Sequence, residues 1–308
     1  MKKKMFYLAD CVIILLVSAL VLLDTFVLER TYEVTAAHES AVSEESGETA
    51  QNEKHSRNES TQTVQTEITE NSYSDEHIRI EIREYEYEDT VIYAADVQID
   101  DLSYLYSVFA DNAYGKNVKA QTSEMAEENN AILAINGDYY GARNSGYVIR
   151  NGVLYRQSSS GSEVLALMSD GSFRIVSDEE VSASALLEEG ALQVWSFGPG
   201  LIQNGMITVD ENDEVGKAKA SNPRTAICEI EPLHYLFVVS DGRTEESEGL
   251  SLCELASFLE TLDVKYAYNL DGGGSSTMVF MNEIINNPTT SGRNTSERSV
   301  SDAVCIGY

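Results

Sequence analysis

Tyr266-Ala-Tyr-Asn-Leu-Asp-Gly-Gly-Gly-Ser-Ser-Thr-Met-Val-Phe280 is the stretch that decides how this chain is read. An apolar and aromatic run ends at Asn269 and Asp271. Three glycines follow, then two serines, then a second apolar run. A hairpin turn between two strands needs only two residues of the Asn-Gly kind. Three glycines instead give the backbone access to positive φ and let a ligand approach bare peptide groups. With Asn269 and Asp271 at its entrance, the stretch reads as a site, with Gly272, Gly273, Gly274 and Ser275 as its floor.

Other stretches share this grammar. Ala131-Ile-Leu-Ala-Ile-Asn-Gly-Asp-Tyr-Tyr-Gly-Ala-Arg143 is a short apolar strand that ends in Asn136, Gly137 and Asp138. Val238-Val-Ser-Asp-Gly-Arg243 presents Asp241 at a third strand end. Ser221-Asn-Pro-Arg-Thr-Ala-Ile-Cys228 sets Arg224 after a proline that fixes the local backbone. Arg298 enters the final strand. A planar guanidinium suits two-point binding of phosphate or carboxylate.

The remainder of the chain bounds the reading. Its 308 residues carry a net charge of −30, which repels nucleic-acid phosphates and excludes a DNA- or RNA-binding role. The 4 cysteines form no Cys-x-x-Cys pair, so a zinc site is not expected; one disulfide among Cys228, Cys253 and Cys305 stays open. The 4 histidines show no metal-ligand spacing. Clustered Asp and Asn leave Ca²⁺ or Mg²⁺ as an oxygen-bound option; no cofactor is required by the pattern.

Lys2, Lys3 and Lys4 precede an apolar stretch from about Phe6 to Leu28, long enough for a transmembrane helix. No small-x-small cleavage site follows, which favours an uncleaved signal anchor over a cleaved signal peptide. The lysines then stay in the cytoplasm and the rest lies outside. Residues 1–28 are therefore read as a lysine stub and membrane anchor. Residues 29–75, rich in Ser, Thr and Glu, read as a disordered stalk with an end-to-end distance of about 35–40 Å. Residues 76–308 read as the folded domain.

Within that domain period-2 alternation dominates. Strands are expected at His77–Glu88, Val91–Ile99, Ile132–Ile135, Thr225–Ile230, Val264–Leu270, Thr277–Met281 and Ala303–Tyr308, among others. Helices are expected at Leu102–Phe109, Thr122–Asn130, Ser182–Glu189 and after the capping box Ser251-Leu-Cys-Glu254. Many strands with few grouped helices define an α+β class with a mixed, mainly antiparallel sheet.

Taken in order, Asn136-Gly-Asp-Tyr-Tyr, Gly146 to Gly152, Phe197-Gly-Pro-Gly-Leu-Ile-Gln-Asn-Gly, Asn222-Pro-Arg-Thr-Ala, Ser240-Asp-Gly-Arg, Asn269-Leu-Asp-Gly-Gly-Gly-Ser-Ser and Arg298 with Val300 resemble the phosphodiester glycosidase family. The resemblance covers about Ile132 to the C-terminus. One departure is Asp138-Tyr139-Tyr140, where the family carries Gly-Phe-Phe. The resemblance implies hydrolysis between an anomeric carbon and a phosphate oxygen. It implies Asp271 as first catalytic carboxylate with Asp138 and Asp241 behind it, Arg224 and Arg298 on the phosphate, and Asn136 and Asn269 on sugar hydroxyls. Tyr139, Tyr140 and Tyr147 would stack on sugar. A cell-wall or exopolysaccharide phosphodiester fits an extracytoplasmic, membrane-held domain. The alternative is a non-catalytic wall- or polysaccharide-binding module on a membrane stalk.

Overall fold

The computed structural model describes residues 13–23, 27–32, 66–213 and 221–308. Three antiparallel sheets share one interior. The largest has nine strands in the order Met206–Ile207, Gly200–Gln203, Tyr266–Asn269, Arg224–Glu231, His234–Ser240, Thr90–Ile99, Ile78–Tyr87, Ser72–Ser74 and Glu67–Ile68. A five-stranded sheet runs Glu283–Ile284, Met278–Phe280, Leu133–Asn136, Asp302–Ile306, Leu105–Phe109. A second one runs Val153–Arg156, Val148–Arg150, Ala191–Trp195, Glu163–Met168, Phe173–Ser177. All strand pairings among the described residues are antiparallel, so the class is α+β as expected.

The alternation seen in the sequence explains the layering. Successive side chains of a strand point to opposite faces. Ile227, Leu133, Ile135, Leu165 and Leu167 face the shared interior with Phe237, Trp195 and Tyr268. Their neighbours Ala226, Cys228, Ala134, Val164 and Ala166 face outward. Each outer face is covered by one helix. Leu252–Glu260 lays Leu255 and Leu259 on the nine-stranded sheet. Thr122–Glu128 lays Met125 and Ala126 on the first five-stranded sheet, and Ala183–Glu188 lays Leu186 on the second. The Ser251 capping box forms as read: Ser251 Oγ accepts from Glu254 N at 3.1 Å and Glu254 Oε2 from Ser251 N at 2.7 Å.

Three expectations are corrected. Leu102–Phe109 is not one helix. A single 3₁₀ turn at Leu102–Tyr104, capped by Asp101, gives way to the strand Leu105–Phe109, which pairs with Asp302–Ile306 and completes a sheet. Pairing with a distant partner outweighs local helix preference here. Order also begins before residue 76. Tyr73 is buried, and Asp75 Oδ1 accepts from His77 N and Ile78 N at 2.8 Å each, which ties Ser72–Ser74 to the sheet. At the other end of the expected stalk, Arg30–Thr31 pairs with Gly115–Lys116. The intervening 33–65 lie outside the described residues. The disulfide left open among Cys228, Cys253 and Cys305 does not form, and all three are thiols.

The expected membrane span is described only in part. A helix covers 13–23 with its apolar side chains exposed, and the flanking residues 6–12 and 24–26 lie outside the described residues. Among the described residues no helix is long and apolar enough to cross a membrane.

The three glycines now have a structural reason. The chain leaves the nine-stranded sheet at Asn269 and enters the five-stranded sheet at Met278. The residues between must turn from one sheet to the other in contact with both. Leu270 N bonds to Thr225 O at 2.9 Å on one side, and Asp271 N to Gly137 O at 3.2 Å on the other. A Cβ on Gly272 would stand 2.9 Å from Pro223 O, and Gly273 adopts φ +65°. The crossing is a tight backbone passage, and the site is built on it.

Candidate active site

A cleft of about 790 Å³ opens over this crossing. Asn269, Asp271, Gly272 and Gly273 form its floor; Arg224, Arg298, Arg243 and Arg143 stand around it. Of the residues singled out in the sequence, these strand ends do converge: Asp271, Arg224, Arg298, Asn269, Gly272 and Gly273 line one hollow.

At its centre Arg298 Nη2 meets Asp271 Oδ2 at 2.9 Å. Ser275 Oγ donates to the same oxygen at 2.6 Å and receives Arg298 Nε at 2.8 Å. Both bonds to the carboxylate fall on Oδ2, which leaves Oδ1 for the cleft. Asp271 is 7% exposed. Burial pushes its carboxyl above the usual carboxylate range, while Arg298 and Ser275 hold it down in part. Ser275 itself is fully buried beneath the floor and reaches the cleft only through its bonds to Asp271 and Arg298.

Arg224 follows Pro223 as expected. Its backbone N donates to Ser240 Oγ at 2.9 Å and its Nε to Leu250 O at 2.7 Å, so the side chain is steered to the cleft wall. Arg243 lies above Gly273, whose missing Cβ would stand 2.8 Å from Arg243 Nη2. Asn222 Oδ1 accepts from Arg243 Nε and Nη2 at 3.1 and 2.8 Å. Partial desolvation of the Arg243 guanidinium against the cleft and the nearby Arg298 charge lower its pKa. Two guanidinium groups that repel each other across a glycine floor are relieved by an anion placed between them.

Asn269 donates Nδ2 to Gly198 O at 2.8 Å, next to the cis Gly198-Pro199 bond. Its Oδ1 is buried without a hydrogen bond. An unmet buried acceptor costs about 1–3 kcal/mol, and this one lies just beneath the lining of the cleft.

Other candidates sit elsewhere, and their positions are corrections. Asn136 is fully buried and touches no cleft surface. Its Nδ2 donates to Asp271 O at 2.6 Å, and its Oδ1 accepts from Thr225 Oγ1 at 2.8 Å and Thr277 N at 3.2 Å. It clamps both sheets and the crossing from below. Asp241 is also buried, with Oδ1 held by Asn287 N at 2.8 Å and Asn286 Nδ2 at 3.2 Å. Gly274 packs under Thr290, where a Cβ would collide with its side chain. Gly273 N donates to Pro223 O at 2.7 Å and is not offered to a ligand. Tyr147 is buried with its hydroxyl on Asp178 O at 2.6 Å, and neither Tyr139 nor Tyr140 lines this cleft. Among the described residues no three His, Cys, Asp or Glu side chains gather to hold a metal ion.

Asp138 belongs to a different device. Arg150, 1% exposed, joins Asp138 at 3.0 Å and Asp302 at 2.8 Å. Ser196 N and Tyr140 N also donate to Asp138. Two buried acids share one buried base, so the cluster is neutral only with a proton on one acid. Burial, with the Asp138 charge adding to it, raises Asp302. A raised folded-state pKa means the folded protein binds this proton more tightly than the unfolded chain. The stability it adds is present at acid pH and is lost as pH rises from about 4 through the folded value. Asp302→Asn keeps the acceptor for Arg150 and removes the titration. Denaturant melts across pH 5–8 are expected to show the variant gaining on wild type as pH rises, by up to about 1.4 kcal/mol per pH unit. A difference flat with pH contradicts the shared proton.

The sequence reading missed Arg143, Arg243 and Glu163 as cleft residues. Glu163 begins a strand of the second five-stranded sheet and holds Gly200 N at 2.9 Å. Arg143 lies over the Phe197 ring, 4.7 Å from its centre. The adjoining loop 159–162 is gathered by Asp178, which accepts from Ser160 N, Gly161 N and Ser162 N. Arg243 had a local cue, since it closes the Ser-Asp-Gly-Arg stretch. Arg143 closes the Ala131–Arg143 stretch in the same way, whereas nothing near Glu163 in sequence marks it.

The chain matches the phosphodiester glycosidase family over residues 129–307 and belongs to that family. Among relatives, it is 31% identical over 212 residues to human N-acetylglucosamine-1-phosphodiester alpha-N-acetylglucosaminidase, covering 61% of this chain and 40% of the human one. It is 27% identical over 203 residues to the SPbeta prophage-derived protein YomE of Bacillus subtilis, covering 63% of this chain and 31% of that one. The chain thus spans well under half the length of these relatives. The zebrafish N-acetylglucosamine-1-phosphodiester alpha-N-acetylglucosaminidase catalytic domain, solved in a form auto-inhibited by its pro-peptide, shares the fold. Its TM-score is 0.59 at 20% identity, covering 75% of this chain and 83% of that one.

Proposed function

We propose that the protein is a hydrolase that cleaves a sugar-1-phosphodiester between the anomeric carbon and the phosphate oxygen. The observation that carries this reading is the Asp271–Arg298 pair at the floor of a cleft that also gathers Arg224 and Arg243. The relatives named for N-acetylglucosamine-1-phosphodiester support the chemistry.

The reaction asks for few parts. The leaving group is a phosphate monoester, already a stable anion, so protonating the leaving oxygen matters less than for an ordinary glycoside. Arg298 and Arg224 bind the phosphate and stabilise the charge it gains as the C1–O bond breaks. Asp271 Oδ1 acts at the opposite face of the anomeric carbon. It either attacks C1 directly or takes the proton of the attacking water, and the electron pair of the broken bond stays on phosphate. Asn269 lines the cleft where the sugar lies. Glu163 and Asp213 also line the cleft and are the further carboxylates available; a separation of about 5 Å from Asp271 means retention, and about 6.5–9.5 Å means inversion.

The apolar N-terminal run behind three lysines supports placement on a cell membrane with the domain outside, where a wall or exopolysaccharide component is the natural substrate. The test is release of free sugar by the purified full-length protein from a panel of synthetic sugar-1-phosphodiesters, beginning with N-acetylglucosamine 1-(methyl phosphate). Arg224→Ala is expected to lower kcat/KM about 10²–10³-fold. A wild type that is inert on the whole panel yet binds wall polymer is a binding module, and the enzyme reading fails.

A further inference from the structure

A second cavity, of about 340 Å³, adjoins the cleft, and Arg143 lines both. Its walls are aromatic. Tyr114 and Tyr140 stack with ring centres 5.2 Å apart and planes within 16°, and Tyr155 lies 5.1 Å from Tyr114. Tyr32 is brought to the rim because Arg30–Thr31 pairs with Gly115–Lys116. Gly115 makes that pairing possible, since a Cβ there would collide with the Arg30 carbonyl.

Charge is the second observation. The chain has 51 acidic residues against 21 basic ones, so a lysine without an acid nearby is unusual. Lys116 is half-buried on this rim, and its side chain makes no hydrogen bond or ion pair among the described residues. Arg143 is held in place by Ser196 O at 3.1 Å and by the Phe197 ring, with no carboxylate against it among the described residues. Arg143 feels the Asp271 charge across the cleft but makes no ion pair with it, and the Lys116 ammonium is unpaired among the described residues. Aromatic faces with phenol edges take sugar rings, and cations outside an ion pair take phosphate.

We propose that this cavity is the subsite for the next repeat of a chain in which sugars are linked through phosphodiesters. The inference rests on the glycosidase reading of the cleft. One phosphate is held at Arg298 and Arg224, the chain beyond it passes Arg143, and the following unit lies against Tyr32, Tyr114 and Tyr155 with its phosphate at Lys116. The preferred substrate is then a poly(sugar phosphate) rather than a single capped sugar.

The experiment compares kcat and KM of the full-length protein on three matched substrates. These are a one-unit sugar-1-phosphodiester, a three-repeat sugar-phosphate oligomer, and a diester carrying a neutral trisaccharide. Wild type is expected to show a KM about tenfold lower for the anionic oligomer than for the single unit, with the gap closing at high salt. Lys116→Ala and, separately, the surface change Tyr32→Ala are expected to erase that gap and leave the one-unit rate unchanged, while Lys116→Arg retains it. Equal KM for one unit and oligomer overturns the subsite, as does equal preference for the neutral chain, or a loss in Lys116→Ala that is the same on all substrates. In each of those cases one-unit hydrolysis still supports the cleft. Absence of hydrolysis on all three overturns the cleft reading and the subsite with it.

Discussion

Asp271→Asn is expected to fold as wild type does and to lose sugar release by about 10³-fold or more. The amide keeps the size of the carboxylate and an oxygen for Ser275 Oγ and Arg298 Nη2, now at 2.6 and 2.9 Å from Oδ2. What it removes is the negative charge that faces the anomeric carbon. The pH profile separates this role from mere positioning. A group that must be ionised to act gives a kcat/KM that rises with pH through its pKa. Burial raises Asp271, so the acid limb should lie above the ordinary carboxylate value of about 4. Arg298 pulls that value down. Arg298→Ala should therefore move the acid limb to higher pH as well as lower the maximum. An acid limb unmoved in Arg298→Ala contradicts the assignment of the limb to Asp271.

Gly137→Ala is expected to destabilise the protein by about 3–5 kcal/mol, read as a drop in denaturant midpoint, although the change adds one methyl group. The added carbon has nowhere to go. It would land on the Asp302 carboxylate, which is fully buried and gripped by Arg150 through Nε at 3.0 Å and Nη2 at 2.8 Å. Moving that carboxylate breaks a buried ion pair; moving the backbone instead disturbs the bonds from Gly137 N to Asp302 O and from Asp271 N to Gly137 O, at 2.9 and 3.2 Å. The second of these supports the catalytic crossing. Activity should fall with stability in this variant, whereas Asp271→Asn should separate the two. A Gly137→Ala protein that melts within 1 kcal/mol of wild type, to order of magnitude, means that the cluster yields readily.

The same two residues show what could be read from the chain. Asp271 was legible because its setting is local: a strand end, an acid, and glycines that only a close passage requires. The capping box at Ser251 and the alternation along Ile78–Tyr87 are local in the same way. Asp138 had an equally suggestive setting, yet its role is fixed by Arg150 and by Asp302, which is 164 positions later. A strand-end acid aimed at a cleft and one aimed at a buried arginine look alike in sequence. Asn136 was misread for that reason as well: its partners Thr225, Asp271 and Thr277 come from three other segments. Leu102–Phe109 carries helix-compatible residues, and only the final strand of the chain makes five of them a strand.

The central claim is that the bond broken is the one between C1 and oxygen. Hydrolysis in water enriched in ¹⁸O, followed by mass spectrometry of both products, reads this directly. Attack at the anomeric carbon above Asp271 places the label in the released sugar and none in the phosphate. Label in the phosphate monoester would mean attack at phosphorus, with the arginines serving a phosphodiesterase, and would contradict the account.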